Sequence, residues 1–351
     1  MNNKIKSKKI GLFSDIHIGL NQDSQLWHEV CINFAKWACE VYTNLGINEI
    51  IIPGDIFHNR SQISVNTLQI AKEFFDILKE FKIYISTGNH DCYYKDKSDV
   101  NSISLLKGWN NITVIDEKSE ILEYNSKKIS LIPWGIDVEN IPNSDICFGH
   151  FEIQSFYMNS NKICENGVKS QSLFRKSPFI ISGHFHNKDE RIYDKGKIVY
   201  LGSPYQQNFG DCDQKRGIYT LDLETNELNF IENTISPIHI KLYLSKMKKG
   251  DQNSDFLKKN VKNNIVSLII DQEIESEKIT ILTSNLQSLK PKSIRIDYES
   301  TESKIVEFSE NKEYNMLDIE KNIDDFVNSL DMKYKEEVVE YVLNLYKELK
   351  K

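Results

Sequence analysis

Short apolar runs, each ending in a polar cluster that carries glycine, aspartate or histidine, narrow the fold of this chain more than any other feature. The run 9–14 leads into Asp15-Ile16-His17, 49–53 into Gly54-Asp55, and 82–86 into Gly88-Asn89-His90-Asp91. Further on, 145–149 leads into His150, and 178–182 into Gly183-His184-Phe185-His186. Continuous apolar runs of this length suit strands buried on both faces of a parallel sheet, and in open α/β sheets sites are built at the strands' carboxyl ends. Of the eight histidines, six (His17, His58, His90, His150, His184, His186) lie within three residues of a glycine or aspartate at such an end, while His28 and His239 stand apart. A shared polynuclear metal site explains that gathering better than scattered core or surface roles.

The spacing of Leu26, Val30, Phe34, Trp37, Ala38, Val41 and Leu45 predicts a helix over 24–45 that Gly46 ends, and Ser64 can cap a second helix running to about 81. Three β-α repeats in the first ninety residues imply a parallel sheet whose loops converge on one edge. Beyond Trp109 the pattern changes to strands over 112–115, 120–124 and 128–132 joined by tight turns, expected as the second half of a layered sandwich. Hairpins follow over 191–200, turning at Asp194-Lys195-Gly196, and over 217–231, turning near Thr225-Asn226. Between them Leu201-Gly202-Ser203-Pro204-Tyr205 is expected to be a polar loop facing substrate.

The expected division is a first domain over 1–234, a small α+β domain over 235–299, a charged linker over 300–315 and a helical pair over 316–351. The small domain draws strands from 239–244, 265–270 and 292–297 and helices near 255–260 and 277–289. The tail carries apolar stripes at helical spacing: Leu317, Ile323, Phe326, Val327 and Leu330, then Val338, Val342, Leu345, Tyr346 and Leu349.

A net charge of −7 over 351 residues argues against a uniformly basic nucleic-acid binder. It does not exclude DNA, because bound divalent cations add positive charge where phosphates must approach. The lysine-rich start has no apolar core and no run reaches membrane-span length, so a cytoplasmic protein without membrane contact is expected. Six cysteines without a Cys-x-x-Cys pair indicate neither a zinc ribbon nor a disulfide framework.

Strand alternation would point Asp15 and His17 to one side with Ile16 toward the core, and would do the same for His184 and His186. Together Asp15, His17, Asp55, Asn89, His150, His184 and His186 make an oxygen and nitrogen set without thiolate, which suits two borderline-hard cations. Asp55, between the two groups, can bridge ions about 3.5 to 4 Å apart. His90 is left over beside a ligand and is suited to protonating a leaving oxygen or stabilising the transition state.

The segments Asp15-x-His17, Gly54-Asp55, Gly88-Asn89-His90-Asp91, Gly149-His150 and Gly183-His184-x-His186 occur in the order that defines the calcineurin-like metallophosphoesterases, a superfamily the chain resembles strongly. The resemblance implies an α/β, α+β-layered class: a four-layer β-sandwich with a small capping domain and C-terminal helices. It also implies that Asp15, His17, Asp55 and His186 hold one ion, and Asp55, Asn89, His150 and His184 the other. Asp15-Ile16-His17-Ile18-Gly19, Gly54-Asp55-Ile56-Phe57-His58-Asn59-Arg60 and Leu201-Gly202-Ser203-Pro204 resemble the SbcD-type nucleases of double-strand-break repair, and most closely their T-even-type phage members. That branch implies manganese as cofactor, DNA ends as substrate and an SMC-like ATPase of SbcC type as partner for the helical pair, and it admits a homodimer. It implies His58 in placing the DNA end, with a hydrogen-bonding role behind a metal ligand as the alternative. Two other functions stay open from the residues alone: a phosphoesterase for small nucleotides or phosphoproteins, and a DNA-end-binding scaffold with a vestigial site.

Overall fold

The strands β1 (Lys9–Leu12), β2 (Glu49–Pro53), β3 (Lys82–Ser86) and β4 (Ile112–Ile115) lie side by side and parallel. A computed structural model describes residues 4–158, 162–247, 255–299, 335 and 338–343 of the chain. It divides into two compact units, Met1–Glu299 and Ser300–Lys351. In the first unit α1 (Gln25–Asn44) links β1 to β2, and α2 (Val65–Ile77) links β2 to β3. Ser64 caps α2 by accepting the Thr67 N–H at 3.0 Å, and Gly46, at φ +67°, turns the chain away beyond α1. Ile50, Ile52, Ile83 and Ile85 bury one face of the sheet against Phe34, Ala35, Ala38, Phe74 and Phe75 of these helices.

The second sheet follows in order β5-β6-β7-β8-β10-β9, from β5 (Glu120–Tyr124), β6 (Lys127–Leu131), β7 (Ile146–Gly149), β8 (Phe179–Ser182), β9 (Asp189–Tyr193) and β10 (Gly196–Tyr200). The hairpin β11 (Gly217–Asp222) and β12 (Leu228–Glu232) then returns to the first sheet, where β11 runs antiparallel to β1. Ile10, Leu12, Ile51, Tyr84 and Leu221 from one sheet meet Ile129, Phe148, Phe179, Ile181 and Val199 from the other in a shared apolar layer. The outer face of the second sheet is covered mostly by irregular chain and by the short α3 (Ser170–Phe174), through Phe151, Ile153, Phe156 and Leu173. The result is a layered α/β sandwich with few helices.

The order of pairing corrects two expectations. The run 112–115 does not begin the second sheet: as β4 it extends the first, parallel to β3, with Ile112 and Val114 packed on the helix side. Nor does a full helix follow β3, since only a 3₁₀ segment, Ile103–Gly108, precedes β4.

The described residues between 239 and 298 form a three-stranded parallel sheet of β13 (His239–Tyr243), β14 (Ile265–Ile270) and β15 (Ser293–Tyr298), with α4 (Asp255–Val261) and α5 (Ser276–Ser288) in the connections. Leu257, Val261, Val266, Leu268, Leu282 and Leu286 give it a hydrophobic cluster of its own. His239 ties it to the larger body: its N–H donates to Gln206 Oε1 at 2.6 Å, and its ring stacks 5.8 Å from Trp27. The expected linker over 300–315 lies outside the described residues, as does most of the helical pair over 316–351, of which Lys335 and 338–343 are helical. No helix among the described residues is long and apolar enough to cross a membrane.

Candidate metal centre

Parallel pairing sends the carboxyl ends of β1, β2 and β3 to one edge, and the loops after β7 and β8 meet them there. The backbone of the loops after β1 and β2 is zipped together: Asp15 N–H donates to Gly54 O at 3.2 Å, His17 N–H to Asp55 O at 3.1 Å, and His58 N–H to Ile18 O at 3.0 Å. Strand alternation is not what aims Asp15 and His17, because β1 has already ended at Leu12 and both residues are left-handed, at φ 58° and 53°. Asp55 (φ 56°) and His184 (φ 93°) share that region. Four non-glycine residues in a sparsely populated conformation at one spot mark strain that the surrounding hydrogen bonds hold in place.

Gly88 serves close approach, since a Cβ there would fall 2.2 Å from Asp55 Oδ1. The loop 201–205, expected to face substrate, is buried instead. Tyr205 lies inside it, and its hydroxyl donates to Ile16 O at 2.5 Å, bracing the Asp15–His17 turn from below.

All seven expected donors converge. Asp55 is central, with Oδ2 3.4 Å from His17 Nε2 and 3.3 Å from His150 Nε2. To one side, His17 Nε2 and His186 Nε2 approach to 3.1 Å, and with Asp15 they form a group whose donor atoms lie within 4.8 Å of one another. To the other, Asn89 Oδ1 lies 3.0 Å from His150 Nε2 and 2.9 Å from His184 Nδ1. Backbone carbonyls orient the rings: His150 Nδ1 is 2.8 Å from Pro53 O, so its Nε2 faces the site.

Electrostatics separates the groups. Burial holds His17 well below its ordinary range, and lowers His184 to about 3 and His186 to about 4, so all three are neutral nitrogen donors. Burial raises Asp15 to about 7. For Asp55 burial is outweighed by His150 and His17, which keep its carboxyl well below the usual range; in return Asp55 outweighs burial at His150 and lifts it to about 9. The neutral imidazoles of His17, His184 and His186, around carboxylates buried at 1% exposure or less, form a cradle for cations, which would displace the proton that Asp55 holds on His150 and offset the burial cost at Asp15. The donor set therefore fits divalent metal.

His90 sits at the rim. Its Nδ1 is 2.7 Å from His58 O, its N–H donates to Asp55 Oδ1 at 2.8 Å, and its ring stacks 5.4 Å from His58 and meets His17 at 4.7 Å. His58 Nδ1 is buried without a hydrogen-bond partner among the described residues.

Two contributors escaped the sequence reading. Asp91, 1% exposed, accepts four backbone N–H groups, from Gly88 (2.9 Å), Asp55 (2.8 Å), Ile56 (3.0 Å) and Phe57 (3.0 Å), and so locks the Asp55 loop to the Asn89 loop. Its place beside His90 was visible, but its direction was not. Trp134 packs 5.4 Å from the His184 ring and 5.9 Å from His150, and no sequence pattern marks it.

A model of the calcineurin-like phosphoesterase family matches residues 8–209. The chain is 32% identical over 240 residues to exonuclease subunit 1 of Enterobacteria phage T4, a match covering 64% of this chain and 68% of that protein. Among solved structures, an archaeal phosphodiesterase matches at 17% identity over 64% of this chain and 99% of its own, with a TM-score of 0.36. A dimetal phosphatase from Danio rerio matches at 12% identity over 61% and 92%, with a TM-score of 0.37.

Proposed function

The chain belongs to the calcineurin-like phosphoesterase family, and from that premise we propose that it is a manganese-dependent nuclease hydrolysing DNA phosphodiesters at ends during recombination or break repair. The observation that carries the reading is Asp55, set 3.4 and 3.3 Å from one imidazole of each donor group, as a bridging carboxylate would be. The similarity to a phage exonuclease subunit supports DNA as substrate. In this proposal Asp15, His17, Asp55 and His186 hold one ion, and Asp55, Asn89, His150 and His184 hold the other. When bound, such a pair activates water for attack and neutralises charge on the phosphoryl oxygens.

The chain's own residues do the rest. The His58 carbonyl, 2.7 Å from His90 Nδ1, accepts a hydrogen bond from the Nδ1–H and so fixes that tautomer, which leaves the Nε2 lone pair to pick up a proton and pass it to the leaving oxygen. His58, stacked on His90, is assigned to placing the DNA end. Residues 235–299 serve as a capping region toward DNA, and 316–351 as the element that docks an SMC-like ATPase of SbcC type. Self-association into a homodimer is compatible with this scheme.

A second reading, a phosphoesterase for small nucleotides, draws on a cavity of about 180 Å³ beside His184, His186, Asn187 and Asp211, large enough for a single phosphoryl group. Hydrolysis of linear DNA and bis-p-nitrophenyl phosphate against p-nitrophenyl phosphate separates the two. The nuclease reading expects diester and DNA cleavage that chelation abolishes and manganese restores. Cleavage of the monoester alone would overturn it.

A further inference from the structure

Beside the metal centre the chain keeps two aromatic rings in solvent. Tyr93 and Tyr94 follow Asp91 closely, are 55% and 41% exposed, and meet edge to face at 5.0 Å and 88°. Their segment is clamped: Tyr93 N–H donates to Val100 O at 2.9 Å, and Ser102 N–H to Asp91 O at 2.8 Å. The Trp134 indole N–H donates to Lys95 O at 2.8 Å. Gly135, at φ +82°, lets the Trp134 chain pass close by, since a Cβ there would sit 2.7 Å from Asp96 O. Trp134 also packs on the His184 and His150 rings, so the one indole touches the metal donors and, through its N–H, the backbone of Lys95, the residue next to Tyr94.

The charges on this segment cancel. Lys95 and Lys97 stand against Asp96 and Asp99, and Lys97 Nζ is divided between Asp99, at 3.4 Å, and the Tyr94 ring, at 4.4 Å. A patch built to attract phosphates alone would carry a net positive charge. What the segment offers instead is exposed ring surface.

We propose that Tyr93 and Tyr94 form a stacking platform for unpaired nucleobases of a single strand whose phosphodiester lies at the metal centre. The proposal rests on the nuclease reading above. Every base has a π face, so aromatic platforms accept any sequence, while bases paired inside a duplex cannot reach them. A pair of rings already in mutual contact on a backbone held by hydrogen bonds gives up less conformational freedom when a base settles on it. The platform therefore selects single-stranded over paired substrate at the same catalytic centre.

The test compares binding of a fluorescent oligothymidylate with that of an abasic strand of equal length, by anisotropy in chelator, alongside cleavage of both with manganese. The wild-type chain should favour the base-bearing strand by about tenfold or more. Tyr93→Ala with Tyr94→Ala should collapse that ratio toward one, and Tyr93→Phe with Tyr94→Phe should retain it, because the rings remain. An alanine pair that keeps the full ratio while the wild-type chain still cleaves DNA would overturn the platform alone and leave the patch to a protein partner. A wild-type chain that cleaves no DNA would remove the nuclease reading and the platform together.

Discussion

Single side chains divide into those that would touch a metal, those that move a proton and those that hold others in place. Among the described residues Asp55 is the one carboxylate within 3.4 Å of imidazoles from both groups, so Asp55→Ala should empty both metal positions rather than one. Metal analysis of the purified variant checks this, and two retained ions would refute the bridging role. His90 lies outside both groups, so His90→Gln should keep both metals and lower hydrolysis by roughly two to four orders of magnitude, the range of a positioned acid or base. Asp91 should behave differently from either. Its loss leaves four backbone donors without their acceptor, and Asp91→Ala should cost roughly 3 kcal/mol of stability in urea unfolding along with metal affinity. A variant as stable as wild type would mean that water replaces the carboxylate without loss.

Elements are joined at places where a few groups decide how two sheets meet. The seam between the small parallel sheet and the body runs through His239, which is buried against Trp27 and Phe209. Burial lowers its pKa from the ordinary value to about 4. A histidine that stays neutral in the folded chain and protonates when unfolded contributes stability present above about pH 6.5 and lost as pH falls toward 4. With metal supplied, the melting-temperature advantage of wild type over His239→Phe should therefore shrink between pH 7 and pH 5. A constant difference across that window would show that His239 does not titrate at the seam. Within the body, the apolar alternation of β4 is that of an edge strand, and it would suit either sheet. Its parallel pairing with β3, from Ile83 opposite Ile112 to Ser86 opposite Ile115, settles which one it joins.

At the scale of the whole molecule, the chain divides after Glu299, and the metal centre belongs to the first unit. Deleting 315–351 should leave manganese-dependent cleavage of short single-stranded DNA nearly unchanged. The same deletion should abolish binding to an SMC-like ATPase and ATP-stimulated processing of duplex ends. Co-purification of the truncated chain with that partner at full stoichiometry would refute the docking role. Aggregation or early melting of the truncated chain would show instead that the tail packs on its own chain.

That Asp15, His17, Asp55, Asn89, His150, His184 and His186, with His90, are candidates for one site was legible in the chain because the signal is local: an apolar run followed at once by aspartate, asparagine or histidine, in four of the five segments after a glycine. Strand boundaries such as Glu49–Pro53, Lys82–Ser86 and Ile265–Ile270 were legible for the same reason, since burial on both faces leaves an unbroken apolar run. Tertiary structure alone decided how those donors face one another. Asp15 and His184 meet through a bond from the His184 N–H to Asp15 Oδ1, 3.0 Å long and spanning 169 positions. The left-handed turns at Asp15, His17, Asp55 and His184, the Asp91 lock and the Tyr205 brace likewise draw their stability from groups distant in sequence. Periodicity records which face a residue buries, but not which distant carbonyl or carboxylate will receive its N–H. That choice exists only once the two sheets have packed.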